Sequence, residues 1–327
     1  MKIFITGGAG YVGSHCAALL RQSGHELLIY DNLSTGHRAA VGAGELTVGD
    51  LGDGKTLNLA MRKFGPEAVV HFAASAAVGE SVKDPLAYYR NNVINTVILL
   101  ETMKELGVRK LVFSSSCAVY GNPPEAPITE EMPCEPISPY GRTKRIMELV
   151  YADCARAWNL GFAALRYFNA AGASFDSSLG EDHDPETHLI PIVLQAALVR
   201  RKHVEIFGDD YPTPDGTCVR DYIHVEDLAE AHLRALLTVE PGSQLLVNLG
   251  TGTGHSVKEL IDVAQKVTGL EIKTKIGPRR EGDTPVLFAD PSRARQILKW
   301  QSRVNDLKDI IETAWQWHRK HPDGFSK

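Results

Sequence analysis

Gly7-Gly8-Ala9-Gly10-Tyr11-Val12-Gly13 follows directly on the short apolar run Lys2–Thr6 and opens a stretch of helical spacing, Tyr11–Ser23, that stops at Gly24. No other segment constrains the fold as strongly. It satisfies G-x-G-x-x-G from Gly8 and G-x-x-G-x-x-G from Gly7. Glycine is needed in such a strand–turn–helix because the turn takes unusual φ, a pyrophosphate must reach the backbone, and the helix must pack closely on the strand. The helix start then offers unpaired N–H groups and a positive dipole end to phosphate. Asp31 closes the next apolar run, which begins at Glu26, and lies 18 residues after Gly13. A carboxylate there accepts hydrogen bonds from adenosine ribose hydroxyls and repels a 2′-phosphate. Asn32 is neutral where an NADP site would place arginine, although Arg38 is near. The pattern favours NAD.

Further β-rich runs occur at Leu46–Val48, Ala68–Phe72, Lys110–Phe113 and Phe162–Arg166. Helix-length segments separate them; one starts with Asp84 as cap and Pro85 in the first turn and runs to about Leu106-Gly107. The alternation predicts an α/β protein: a Rossmann-type doubly wound parallel sheet with a smaller C-terminal α/β substrate lobe. Beyond Gly172 the chain turns polar and acidic (176–187) and then turn-rich (207–216). Helical spacing returns in Val225–Leu237, Val257–Thr268 and Val304–His318. The expected division is an NAD-binding domain over 1–172, rejoined by about 218–240, with a substrate lobe over 173–217 and 241–327.

With 327 residues, 43% hydrophobic and a net charge of −5, the chain is a globular protein without the basic surface that nucleic acid or an anionic membrane needs. No apolar segment is long enough to span a bilayer, and the N-terminus reaches glycine too soon for a secretory signal. Cysteines 16, 117, 134, 154 and 218 are odd in number and lack a Cys-x-x-Cys pair. They read as reduced thiols of a cytoplasmic protein.

Tyr140 and Lys144 stand four residues apart at the start of a helix expected to run to about Asn159, so both can point into one site. A free phenol is a poor base at neutral pH; a neighbouring ammonium and a positive nicotinamide ring favour its phenolate. The fifth strand ends in Ser114-Ser115-Ser116 at the carboxyl edge of the sheet, where open α/β folds bind ligands. Ser116, Tyr140 and Lys144 are the expected catalytic residues, an arrangement for moving a proton beside a dinucleotide.

These residues resemble the extended short-chain dehydrogenase/reductase superfamily, and within it the UDP-glucose 4-epimerase family. The likeness is carried by Gly7–Gly13, Asp31-Asn32-Leu33-Ser34, His71-Phe72-Ala73-Ala74, Ser114–Ser116, Tyr140 to Lys144, Leu165 to Asn169, His188 to Pro191, Asp210 to Val225, and Arg279-Arg280-x-Gly282-Asp283. The resemblance implies that Tyr140 takes the proton of a sugar 4-hydroxyl while NAD accepts hydride, and that the keto sugar turns over before hydride returns. It implies NAD contacts at Gly7, Gly10, Tyr11, Val12, Gly13, Asp31, Asn32, Leu33, Ser34, Thr35, Gly36, Asp50, Leu51, Phe72, Ala73, Ala74, Ala76, Asn91, Ser114, Tyr140, Lys144 and Phe168. For the UDP-sugar it implies Ser116, Tyr140, Asn169, His188, Leu189, Phe207, Arg220, Arg280, Asp283 and Leu287; the arginines suit a diphosphate. A homodimer through helices of the first lobe is implied as well. Ala76, His188, Ala170 and Leu287 stand where relatives often carry Lys, Asn, Pro and Tyr or a small residue.

Dehydratases of this superfamily carry Asp-Glu after the strand-end hydroxyl, and related decarboxylases a Glu; here Cys117-Ala118 can do neither proton transfer. NAD-sensing proteins on the same fold can lose the tyrosine, which this chain keeps. Asp182-His183-Asp184 with Glu186 and His188 is read as a solvated acidic loop plus a substrate contact, with no metal. Cys117, His71, Trp315 and Trp317 are read as packing residues.

Overall fold

Ile3 and Ile5 face one side of the first strand and Phe4 the other, and all three are fully buried, as expected of a strand with helices over both faces. The computed structural model describes residues 1–280 and 283–325, so Gly282 of the arginine-rich motif lies outside the described residues. The strands are β1 (Lys2–Thr6), β2 (Glu26–Asp31), β3 (Glu45–Val48), β4 (Ala68–His71), β5 (Lys110–Ser116), β6 (Gly161–Tyr167), β7 (Asn169–Ala171), β8 (Val204–Phe207), β9 (Val219–Arg220), β10 (Tyr222–His224), β11 (Gln244–Leu249), β12 (His255–Ser256), β13 (Thr274–Gly277) and β14 (Val286–Leu287). The helices are α1 (Tyr11–Gln22), α2 (Gly54–Phe64), α3 (Val78–Lys83), α4 (Pro85–Tyr88), α5 (Asn95–Leu106), α6 (Pro139–Trp158), α7 (Leu189–Ala197), α8 (Val225–Thr238), α9 (Val257–Thr268), α10 (Ser292–Leu298) and α11 (Leu307–Lys320).

Seven parallel strands form the main sheet in the order β11-β6-β5-β4-β1-β2-β3. The order reverses at β1, and that reversal opens the crevice in which such sheets bind ligands. One apolar layer joins α1, α8 and α10 to the sheet; the other joins α2, α5 and α6. A third core, around Val193, Ile206, Leu260 and Ile311, holds α7, α9 and α11 together in the smaller lobe.

The structure differs from the expected division in two respects. Gln244–Leu249 was assigned to the smaller lobe but is β11, an edge strand of the main sheet that pairs with β6 from Phe162 to Tyr167. Its run Leu245-Leu246-Val247 is buried or half-buried, as in other strands covered on two faces. Ala294 and Leu298 of α10 also pack in the first-lobe core. The chain therefore crosses between the lobes more often than the sequence suggests. The segment from Pro85 to Leu106 is helical throughout, with a wider turn over Tyr89–Ile94.

Candidate active site

The glycine turn is packed against its own backbone. Gly7 has φ +71°, and a Cβ there would meet Ala73 N at 2.4 Å; one on Gly13 would meet Gly7 O at 2.2 Å. No side chain caps the start of α1, and no acid stands in its first turn, so its N–H groups face an anion freely. Asp31 is buried. Its carboxylate accepts from Ala9 N (2.9 Å) and Leu33 N (2.8 Å), tying the turn to the end of β2. His37 N donates to Ala9 O, which folds the Leu33–Gly36 segment against the same turn. Asn32 Nδ2 donates to Asp50 (2.8 Å), and a cleft of about 570 Å³ brings Asp50 together with Asn91. Phe72 N and Ala73 N donate to Thr6 O at the end of β1. These residues fit a dinucleotide: a close-packed turn with no room for side chains, an open helix start, and an acid at the next strand end. Leu51 lies between Asp50 and Gly52 of the cleft, with its side chain in the core beneath.

β5 and α6 build the reacting centre. Ser138 caps α6 by accepting from Gly141 N (3.1 Å), and Pro139 opens its first turn, so Tyr140 and Lys144 emerge on one face. Lys144 Nζ donates to Ser114 O (2.7 Å) and lies over the Phe113 ring (4.7 Å to its centre). This draws the helix pair onto the serine-rich strand end. Ser116 Oγ accepts from Ala118 N (3.2 Å), holding the hydroxyl at the strand end. Burial pushes the Tyr140 phenol up to about 12, opposed by the Ser116 hydroxyl. Burial pushes the Lys144 ammonium down to about 7, opposed by Glu148. Ser114 uses its side chain otherwise, pairing with the Tyr167 hydroxyl on β6.

Sequence reading had given no role to the network behind this centre. Glu148, one turn beyond Lys144, accepts from Ser115 Oγ (2.7 Å) and takes a fully buried Arg166 through two bonds (2.8 and 2.7 Å). Arg166 then reaches Tyr120 Oη (2.8 Å), which donates to Asn248 on β11 (2.7 Å). The four-residue spacing of Lys144 and Glu148 was the one local signal for it.

The expected substrate residues come from scattered segments, each with its own local partner. Asn169 donates to Asp221 O (3.0 Å); Arg220 bonds Thr284 O (2.7 Å) and faces Asp283 (3.5 Å); Arg280 lies over the Phe207 ring (3.8 Å). Leu287 pairs with Arg220 in register and packs with Cys117 and Phe168, which adjoin Ser116 and Asn169. His188 and Leu189 stand at the start of α7.

The segment before α7 is not the solvated acidic loop expected. Glu181 and Glu186 are buried, and both carboxylates face the imidazoles of His183 and His188. Glu181 is 4% exposed through packing of distant segments, which leaves no local signature in the sequence. Burial disfavours charge on Glu181, but His188 and His183 overcome it and hold the carboxyl well below its usual range. Cys117 is no nucleophile, because burial pushes its thiol up to about 12. His71 bonds Thr6 (2.6 Å) and Thr96 (3.0 Å) within the core.

A half-buried serine with a buried tyrosine and lysine at the carboxyl edge of a doubly wound sheet, beside a glycine turn and a strand-end acid, fits a dinucleotide-dependent enzyme that moves protons at a carbinol or ketone. The family follows from residues 3–250, which match the model of the NAD dependent epimerase/dehydratase family. The chain belongs to that family. It is similar to the UDP-glucose 4-epimerase of Halalkalibacterium halodurans, with 48% identity covering 100% of this chain and 98% of that protein. Among solved structures it resembles the UDP-glucose 4-epimerase of Brucella ovis in complex with NAD (50% identity, TM-score 0.93, 96% of this chain and 97% of that one). It also resembles that of Bifidobacterium longum in complex with NAD+ and UDP (37% identity, TM-score 0.95, 99% of this chain and 100% of that one). The chain is an NAD-dependent enzyme.

Proposed function

We propose that this enzyme interconverts UDP-glucose and UDP-galactose by epimerisation at C4 through a 4-keto sugar, with Ser116, Tyr140 and Lys144 as its catalytic residues. The observation that carries the reading is the contact of Lys144 Nζ with Ser114 O, which joins the Tyr140 helix to the hydroxyl-bearing strand end. The Gly7–Gly13 turn and Asp31 would hold NAD, which when bound would supply the two-electron acceptor for C4. Tyr140 takes the 4-hydroxyl proton and gives it back, and Ser116 orients the reacting oxygen. Lys144 Nζ lies 5.8 Å from the Tyr140 ring centre on the same helix face, and the positive charge that bound NAD would bring to the site would favour the phenolate. Arg220 and Arg280 match the diphosphate, with Asn169, His188, Leu189, Phe207 and Asp283 around the nucleotide and Leu287 on the sugar wall. Cys117-Ala118 supplies no acid or base for removing water or carbon dioxide, which favours epimerisation over the other reactions of the superfamily.

A cytoplasmic homodimer accompanies this reading. Among the described residues no helix is long and apolar enough to cross a membrane. The dimer is supported by exposed Val78, Val82, Leu86, Ile94 and Leu149 on α3–α6, an apolar face on the helices of the first lobe. The test is incubation of the purified enzyme with UDP-galactose, UDP-N-acetylgalactosamine, UDP-glucuronate and UDP-xylose separately, with products resolved by chromatography. Conversion of UDP-galactose to UDP-glucose without added NAD is the expected result. Turnover of only the glucuronate or pentose substrate moves the assignment to another UDP-sugar 4-epimerase.

A further inference from the structure

Four side chains beyond the serine–tyrosine–lysine centre converge just before α7. We propose that Glu181, His183, Glu186 and His188 are the ligands of a divalent-cation site of the zinc class. Their ligand atoms all lie within 4.8 Å of one another. The spacing around His183 is wider than that of hydrogen-bonded ion pairs. His183 Nδ1 stands 3.4 Å from Glu181 Oε1 and 3.8 Å from Glu186 Oε2. A charge-assisted N–H···O bond closes to about 2.7–2.9 Å. Ligands around a tetrahedral ion, with bonds of about 2.0–2.2 Å, stand roughly 3.3–3.6 Å apart. The distance to Glu181 falls in this range and the one to Glu186 lies just beyond it, whereas His188 Nδ1 is in direct hydrogen-bonding contact with Glu181.

Orientation agrees with the spacing. Glu186 Oε1 accepts from Thr187 N (2.7 Å) and His188 N (2.8 Å), which commits one oxygen to the backbone and turns Oε2 toward the cluster. Outer bonds of this kind fix metal-ligating carboxylates. His188 meets Glu181 through the same Nδ1 that its ring turns inward. One dication balances both buried carboxylates while leaving both imidazoles neutral. Two nitrogen and two carboxylate ligands suit zinc and its neighbours and are poor for magnesium or calcium, which take oxygen shells.

The place in the fold gives the site its consequence. The segment between β7 and α7 lies against the glycine turn, with the His183 ring edge-on to Tyr11 at 6.4 Å. Asp182, between two of the ligands, points away from them: it pairs with His37 (3.3 Å) and accepts from Phe325 N (2.9 Å). A cation here clamps the segment that presents His188, whose side chain is 53% exposed. The role is structural and does not depend on the proposed reaction.

The test uses the full-length enzyme with its nucleotide, treated with dipicolinate and titrated calorimetrically with ZnCl2, with MgCl2 as the control. Saturable uptake of one zinc ion per chain is expected, with no response to magnesium. Glu186→Gln and His183→Ala should each weaken zinc at least about tenfold. The zinc K-edge spectrum of the unaltered protein, which needs no variant to fold, should show a nitrogen/oxygen shell with imidazole scattering. Absence of saturable uptake overturns the site and leaves the four residues as an ion-pair network. Sulfur scattering, or uptake undiminished in both variants, overturns it as well.

Discussion

Under the proposed function Tyr140 carries the chemistry and Leu287 the choice of sugar, and one substitution at each separates the two. The phenol is wanted in the transition state, and a positioned acid–base group contributes roughly 10²–10⁴-fold. Tyr140→Phe should lower kcat by about that factor while leaving the Kd for UDP-sugar nearly unchanged, measured by stopped assay and calorimetry. Retention of more than half of kcat would remove Tyr140 from its role. Leu287 has only apolar carbon to offer and pairs with Arg220 beside Cys117 and Phe168. It should favour the UDP-glucose pair over the N-acetyl pair by about 10–200-fold in kcat/KM, the range a hydrophobic wall reaches for one small group. Leu287→Tyr should suppress N-acetyl turnover selectively and Leu287→Ser should raise it. Equal kcat/KM for the two pairs in the unaltered enzyme means the gate is elsewhere.

At the scale of elements, the reacting edge is held by β5, α6, β6 and β11 through the ion pair of Glu148 and Arg166, each with a side chain 1% exposed. Breaking a buried pair strands its partner's charge, so Glu148→Ala should destabilise by about 3–5 kcal/mol in urea unfolding. Glu148→Leu combined with Arg166→Met removes both charges and should recover much of that loss. If the double substitution is as costly as the two singles added together, the pair is not the coupled unit the geometry shows. This network also marks where sequence reading stops. The glycine turn, Asp31, the strand ends and the Tyr140/Lys144 pair were legible because each is written in a few consecutive residues with a fixed period. Arg166 opposite Glu148, Glu181 among the two histidines, and β11 on the main sheet depend on pairing between distant segments. Such pairing leaves no periodic trace.

Across the whole molecule, the C-terminal half returns to the first lobe by laying α8 against α1, and this seam is lined with buried histidines. His15 and His232 each bond a carbonyl one turn back with Nδ1 and leave Nε2 without a partner; His224 bonds Thr313. Burial pushes all three down to about 4. An unfolded histidine takes its proton near pH 6.5, so above that value neither state binds it and these groups add no pH dependence. Between about 6.5 and 4 the unfolded chain binds protons that the folded seam refuses, and stability falls as pH falls. Each fully buried histidine contributes up to about 1.4 kcal/mol per pH unit across that window. His232, packed between Phe72 and Tyr167, offers the cleanest test. Urea unfolding should be followed by tryptophan fluorescence, to which Trp300 contributes from beside α8, its Nε1 donating to Asp227 O. At pH 7 the unaltered protein and His232→Leu set the reference; by pH 4.5 the unaltered protein should have lost about 2 kcal/mol more than the variant. Parallel losses in the two proteins would mean that His232 is already protonated in the folded seam.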